Sequence, residues 1–309
     1  MQDQSVVARD NLAAIVIMSS AMIFVPVMDI IAKYLSSDLP PLEITLGRFL
    51  FQFLICVVLA IVTWDKRVLH SKRPGINFLR GVLLACASLA FFSSLKFMPL
   101  ATAMAIFFIE PMILTLLAAL ILKEKFGIRR VLAILAGLVG VMMILSPSFE
   151  NVGPAVFLPM VAATFFACYL LINRRYAGSD SLLTIQITTG FAGTIVLGLA
   201  LIGGSFSGDA DYAFLMPTPM QILLLAIIGA ISFAGHAMVV IAFQKAEASL
   251  LAPLNYIEIV SAAILGLLVF GDFPDMQMWI GIAIIIASGL YIAHRERVRS
   301  KRVMPPVIT

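Results

Sequence analysis

Charge is scarce in this chain. Asp, Glu, Lys and Arg together make 12% of its 309 residues, while 61% are hydrophobic. A soluble domain averages about 25% charged residues. Catalytic signatures are missing as well. There is no G-x-x-x-x-G-K-[ST] phosphate loop, H-E-x-x-H, C-x-x-C or G-x-S-x-G, so no built-in ATPase, metalloprotease or serine hydrolase is indicated. Cys56, Cys86 and Cys168 all fall in apolar stretches. They read as small packing residues and give no disulfide framework. The three histidines, His70, His236 and His294, are too scattered to suggest a metal site. No cofactor is expected, and the chain is not read as an enzyme. The net charge of +4 does not point to nucleic acid, because the basic residues sit beside apolar stretches.

What is present is apolar sequence in blocks of about 20 residues, the length needed to cross roughly 30 Å of hydrocarbon as a helix. A β-barrel would alternate polar and apolar residues instead. The fold class is therefore all-α polytopic membrane protein. Ten spans are counted, at about 11–33, 42–63, 77–97, 102–122, 128–146, 152–173, 182–203, 221–243, 249–270 and 276–293. The apolar stretch after Asp10 is too long for a signal-peptide core and lacks an A-x-A site, so it is read as the first span. With the N-terminus cytoplasmic, 18 of the 21 Lys and Arg fall on the inside, the others being Lys33, Arg48 and Lys96. The outside loops carry Asp38, Glu150, Asp209, Asp211, Asp272 and Asp275. That bias fits the positive-inside rule, and a missed span would spoil it downstream. Both termini are expected in the cytoplasm.

The chain also repeats. Advancing the fourth span by 148 positions lays Glu110 on Glu258, Phe107 on Asn255, Phe108 on Tyr256 and Glu124 on Asp272. Five spans per copy is an odd number, so the copies must run in opposite directions, as in secondary transporters whose solute sits where the halves meet. Expected units are a first repeat at 11–146, a second at 152–293 and a basic cytoplasmic tail at 294–309. Glu110 and Glu258 lie near the bilayer centre, where a carboxylate costs on the order of 2.5–3.5 kcal/mol. They should face the bundle interior or a wet cavity. Pro111 and Pro253 each remove a backbone donor nearby, and broken backbone is tolerated where protein or a cavity covers it.

Other polar residues in spans are weaker candidates. Asp29 and Arg48 could pair with each other or guard the outer mouth. His236 is mid-span, as a packed side chain or a proton relay. Gln186, Gln244 and Lys96 are near helix ends and read as interfacial. Phe91–Phe92, Phe107–Phe108 and Phe165–Phe166, with Tyr169 and Tyr256, could line a cavity suited to a flat heterocycle or simply pack. Small-residue pairs Ala133/Gly137, Ala136/Gly140, Ala283/Ala287 and Gly289/Ala293 suggest close contact involving the fifth and tenth spans.

The stretch "LKFMPLATAMAIFFIEPMILTLLAALILKEKFGIRR" with the Gly-rich span after it resembles EamA-type transporters of the drug/metabolite transporter superfamily. "KAEASLLAPLNYIEIVSAAILGLLVFGD" is similar in the second half, and Arg48-Phe49 matches an arginine common in that family. Departures are the missing tryptophan near Phe24, Ile259 where a second proline is frequent, and Asp272 in place of glutamate. The resemblance implies two inverted five-helix repeats, a central cavity and alternating access. "FFIEPMILTLL" is similar to bacterial riboflavin and S-adenosylmethionine importers. The resulting reading is a multi-pass inner-membrane secondary transporter of a small organic metabolite, heterocyclic or cationic/zwitterionic. Glu110, Glu258, Phe107, Asn255, Tyr256, His236, Arg48 and Asp29 are its candidate substrate-binding residues. An exporter of amino acids or drugs is the alternative within the superfamily, and a homodimer is left open. An intramembrane enzyme would need a clustered nucleophile and base, which the sequence does not offer. A non-transporting scaffold has no need of two matched midplane acids.

Overall fold

The computed structural model describes residues 2–63, 71–121, 128–176, 180–206, 214–246, 248–272 and 274–303. Lys66, Arg67, His70, Lys123, Glu124, Lys125, Asp209 and Asp211 lie outside the described residues. The α-helices are α1 (Gln2–Leu35), α2 (Pro41–Val62), α3 (Pro74–Leu95), α4 (Leu100–Phe107), α5 (Glu110–Ile121), α6 (Ile128–Val152), α7 (Leu158–Arg175), α8 (Leu182–Ser205), α9 (Pro219–Lys245), α10 (Ala248–Leu251), α11 (Ile257–Phe270) and α12 (Met276–Val303). They make ten spans. Eight are long and apolar enough to cross a membrane, and shorter apolar stretches at Val131–Ser146 and Met276–Ile292 are the fifth and tenth. Several helices open on proline: Pro41, Pro74, Pro159 and Pro219 occupy the first turns of α2, α3, α7 and α9. A first-turn N–H has no helical partner, so nothing is lost there.

The fourth and ninth spans are broken, at matching places. Phe108 and Ile109 leave the helix between α4 and α5, just before Pro111. A 3-10 turn at Ala252–Tyr256, containing Pro253, separates α10 from α11. Each proline deprives the preceding turn of a donor. The breaks leave Glu110 and Glu258 in the first turns of α5 and α11. There the exposed N–H groups and the helix dipole favour negative charge. From sequence these acids were mid-span with prolines pointing to broken backbone nearby; the structure adds that each acid opens a half-helix.

The repeats interleave. Helix α1 packs on α9 and α11, while its counterpart α7 packs on α3 and α5. Helix α2 packs on α8 and α9, and α3 on α8. The fifth and tenth spans, α6 and α12, lie against each other. They cross where Gly140 meets Gly281. A Cβ on either glycine would come within 2.8 Å of the other's carbonyl oxygen.

One element runs longer than its sequence suggests. The fifth span was expected to end at Ser146, before Pro147, yet α6 continues to Val152. A proline at 147 cannot donate to the carbonyl of Met143. The side chain of Gln277 fills that role, donating from Nε2 to Met143 O at 2.8 Å. Helix α12 likewise continues past Ala293 to Val303.

Candidate functional site

A cavity of about 150 Å³ lies between the repeats. Its charged lining is Asp29 on α1, Arg48 on α2 and Glu258 on α11, joined by His236 on α9. Its rings are Phe91 and Phe92 on α3, Phe107 on α4 and Phe166 on α7. Phe107 is the hub, with ring centroids 5.4 Å from Phe91 and 5.5 Å from Phe166. Of each adjacent phenylalanine pair named from sequence, at least one member reaches the cavity.

Arg48 and Asp29 are both buried on this wall, at 5% and 3% exposure. They do not form the direct pair considered from sequence. The guanidinium instead donates from Nη1 to Ser88 Oγ and from Nε to Ser232 Oγ at 3.1 Å. It also lies over Phe49, 5.0 Å from the ring centroid. Ser88 is anchored by its own helix, donating to Leu84 O at 2.8 Å. Ser232 donates to Gln52 Oε1 at 3.0 Å, and Gln52 Nε2 donates to Gln186 Oε1 at 2.7 Å. Gln186 is therefore a buried network residue, not an interfacial one. Although it is only in the second turn of α8, α2 covers that turn. Sequence alone missed Ser88, Ser232 and Gln52. A buried glutamine mid-span at position 52 was the available signal.

Five of the eight candidate residues border the cavity: Asp29, Arg48, Phe107, His236 and Glu258. Glu110, Asn255 and Tyr256 do not. Tyr256 packs tilted against Phe108, ring centroids 5.5 Å apart, and directs its hydroxyl toward Gly289 on α12. Asn255 is half-buried in the 3-10 turn. Glu110 Oε1 is buried with no hydrogen-bond partner among the described residues. Thus the two matched acids differ in surroundings, Glu258 on the cavity and Glu110 outside its lining.

Polar contacts also tie helices together away from the cavity lining. On one side Lys33 Nζ meets Asp272 at 2.5 Å and lies 4.6 Å from the centroid of the Phe270 ring. Lys33, Lys96 and Phe270 also border a second recess there, of about 410 Å³. On the other side Asp180 accepts from Lys72 N at 2.8 Å, Asn77 Nδ2 at 2.8 Å and Ser71 Oγ at 3.1 Å. Burial alone would raise the Asp180 pKa. The three donors and the charge of Arg80 outweigh it, leaving the carboxyl below its ordinary value. A depressed carboxylate adds stability above its unfolded pKa, about 3.9, and loses it as pH falls through the folded value. Asp180→Asn should therefore lower the melting temperature at neutral pH. The gap from the parent protein should close as pH drops below about 4, in a pH series of thermal melts in detergent.

The sequence profile described as the EamA-like transporter family matches residues 12–146 and again 153–293. The chain is similar to an S-adenosylmethionine uptake transporter of Rickettsia bellii, 29% identical over 269 residues, covering 87% of this chain and 89% of that protein. It is 33% identical over 239 residues to an uncharacterized transporter of Helicobacter pylori, covering 74% and 76%. A riboflavin transporter of Vibrio cholerae is 26% identical over 283 residues, covering 89% and 91%. A solved crystal structure shares the fold at a TM-score of 0.63 and 17% identity, covering 93% of this chain and 98% of that one.

Proposed function

The chain belongs to the EamA-like transporter family and is a multi-pass transporter of small metabolites; from that premise we propose that it takes up an amphoteric heteroaromatic solute across the inner membrane. The observation that carries this reading is the cavity lining. It offers carboxylates for a cationic centre, a guanidinium for an anionic one, and four phenylalanines for a flat ring. S-adenosylmethionine has all three features, and relatives are named for its uptake.

Solute pockets commonly measure about 300–1,000 Å³. The cavity here is about 150 Å³, so it must widen to hold such a solute. Rocking of one inverted repeat against the other supplies the widening and opens the site to each side in turn. Asp29, Arg48, His236, Glu258 and Phe107 would touch the solute. Glu110, with Asn255 and Tyr256 at the facing break, would meet the pathway in the oppositely opened state. The basic loops support a cytoplasmic side for both termini. No covalent step is needed, which favours a carrier over an enzyme.

The test is uptake into vesicles reconstituted with the purified protein. Radiolabelled S-adenosylmethionine should accumulate saturably and be competed by excess unlabelled compound. Accumulation no greater than in protein-free vesicles would remove this solute class.

A further inference from the structure

The chain of hydrogen bonds behind Arg48 lies outside the cavity lining except at its first member. Arg48 Nε donates to Ser232 Oγ, Ser232 Oγ to Gln52 Oε1, and Gln52 Nε2 to Gln186 Oε1. Gln52 is 0% exposed, Ser232 4% and Gln186 5%. None of the three borders the cavity. They cannot touch a solute there, yet they tie three helices together: α2, α9 and α8.

Two facts give this chain a direction. First, a serine in a helix usually satisfies its hydroxyl on the carbonyl one turn back, as Ser88 does on Leu84 O. Ser232 does not; its proton goes to Gln52. Its lone pairs are thereby turned to Arg48. Second, Arg48 and Gln52 are four residues apart on α2, and so share a face. They hold the Ser232 hydroxyl between them. The two helices are fixed at close range beside this clasp, since a Cβ on Gly229 of α9 would come within 2.9 Å of Gln52 N. A guanidinium has five N–H donors. Two are spent on Ser232 and Ser88, and Arg48 itself borders the cavity.

We propose that Gln52 is a positioning residue for solute recognition: by orienting Ser232 it fixes the Arg48 guanidinium so that its free donors receive the carboxylate of an amphoteric solute. The inference rests on the proposed solute class. Without Gln52 the Ser232 hydroxyl is free to turn to its own helix, and Arg48 loses one of its two clasps. Binding of the carboxylate then weakens, while the rest of the site and the rocking motion are unchanged.

The experiment compares S-adenosylmethionine with its decarboxylated analogue, which lacks the carboxylate, in reconstituted vesicles. The parent protein should show a KM at least tenfold lower for the carboxylate-bearing compound. Gln52→Met, close in volume, should raise that KM about tenfold with maximal rate within twofold, and should leave the KM of the analogue within twofold. Ser232→Ala should do the same, and Ser232→Thr, which keeps a hydroxyl, should restore the parent value. The serine pair decides the matter if Gln52→Met fails to fold. Equal KM shifts for both compounds, or a change in maximal rate alone, would show a merely structural role and overturn the proposal. A parent protein that ignores the carboxylate would overturn it too. Failure of the parent to take up either compound would sink the solute class, and the inference with it, and is distinguished by appearing before any substitution.

Discussion

Glu258→Gln is expected to reduce S-adenosylmethionine uptake by about 30-fold or more in reconstituted vesicles, with the protein still inserted and monodisperse. Glu258 is in the first turn of α11 and on the cavity wall that also carries Asp29. Its helix start favours negative charge, so the backbone supports the carboxylate in place. Removing one partner of a buried, hydrogen-bonded charge pair costs about 2–5 kcal/mol, and each 1.4 kcal/mol is tenfold in affinity. A cationic solute centre would lose that partner. Folding should survive, because glutamine keeps the volume and removes a charge the bilayer disfavours. Glu110→Gln should slow uptake about tenfold, since Glu110 stands off the cavity in this conformation and is proposed to meet the solute only in the oppositely opened one. Saturable uptake at the parental rate by Glu258→Gln would place the cation elsewhere. Parental uptake by Glu110→Gln would remove the first acid from the cycle.

Gly281→Leu should leave no stably folded protein, and Gly281→Ala should already lower the melting temperature. The fifth and tenth spans approach at Gly140 and Gly281 closely enough that a Cβ on Gly281 would be 2.8 Å from the Gly140 carbonyl and 2.7 Å from an Ile144 side-chain carbon. The Gly140 carbonyl is backbone, so rotating the Ile144 side chain cannot relieve the clash by itself. Overpacking by a methyl costs about 1–3 kcal/mol, and an isobutyl group must force α6 and α12 apart. Gly203→Ala is the control. Nothing stands within 4 Å of its added Cβ, so helix propensity alone should act there, favouring alanine by about 1 kcal/mol. Melting followed by size-exclusion recovery reads all three variants. Equal stability of Gly281→Ala and the parent would mean the crossing is looser than drawn.

The sequence made the spans legible because bilayer physics writes length and apolarity into every one of them. Pro111 and Pro253 marked the two breaks, since a missing N–H has a local cost that shows in the residue itself. The acids stood out for the same reason: carboxylates are rare in apolar blocks. What was illegible depends on partners distant in sequence. Helix α6 passes Pro147 because Gln277, 130 positions later, serves Met143. Gln186 looked interfacial by its place in α8, but burial comes from packing on α2. Ser88 and Ser232 carry no mark of their own, as serine is common in membrane helices and ordinarily bonds its own backbone. The two acids paired by the 148-residue offset, Glu110 and Glu258, each lie in the first turn of a helix that follows a break. The offset could not say that Glu258 alone would line the cavity, because that depends on the neighbours packed around each acid.

The length of the first and last helices has a practical side. Helix α12 has 28 residues and α1 has 34, so at 1.5 Å per residue they reach roughly 42 Å and 51 Å. The hydrocarbon is only about 30 Å thick. With an even number of crossings, both surpluses emerge on one face of the membrane. A reporter joined directly at Gln2 or Val303, the outer ends of these helices, would therefore stand about a nanometre or more above the lipid, and a pair of such reporters would register tilting of the first and tenth spans.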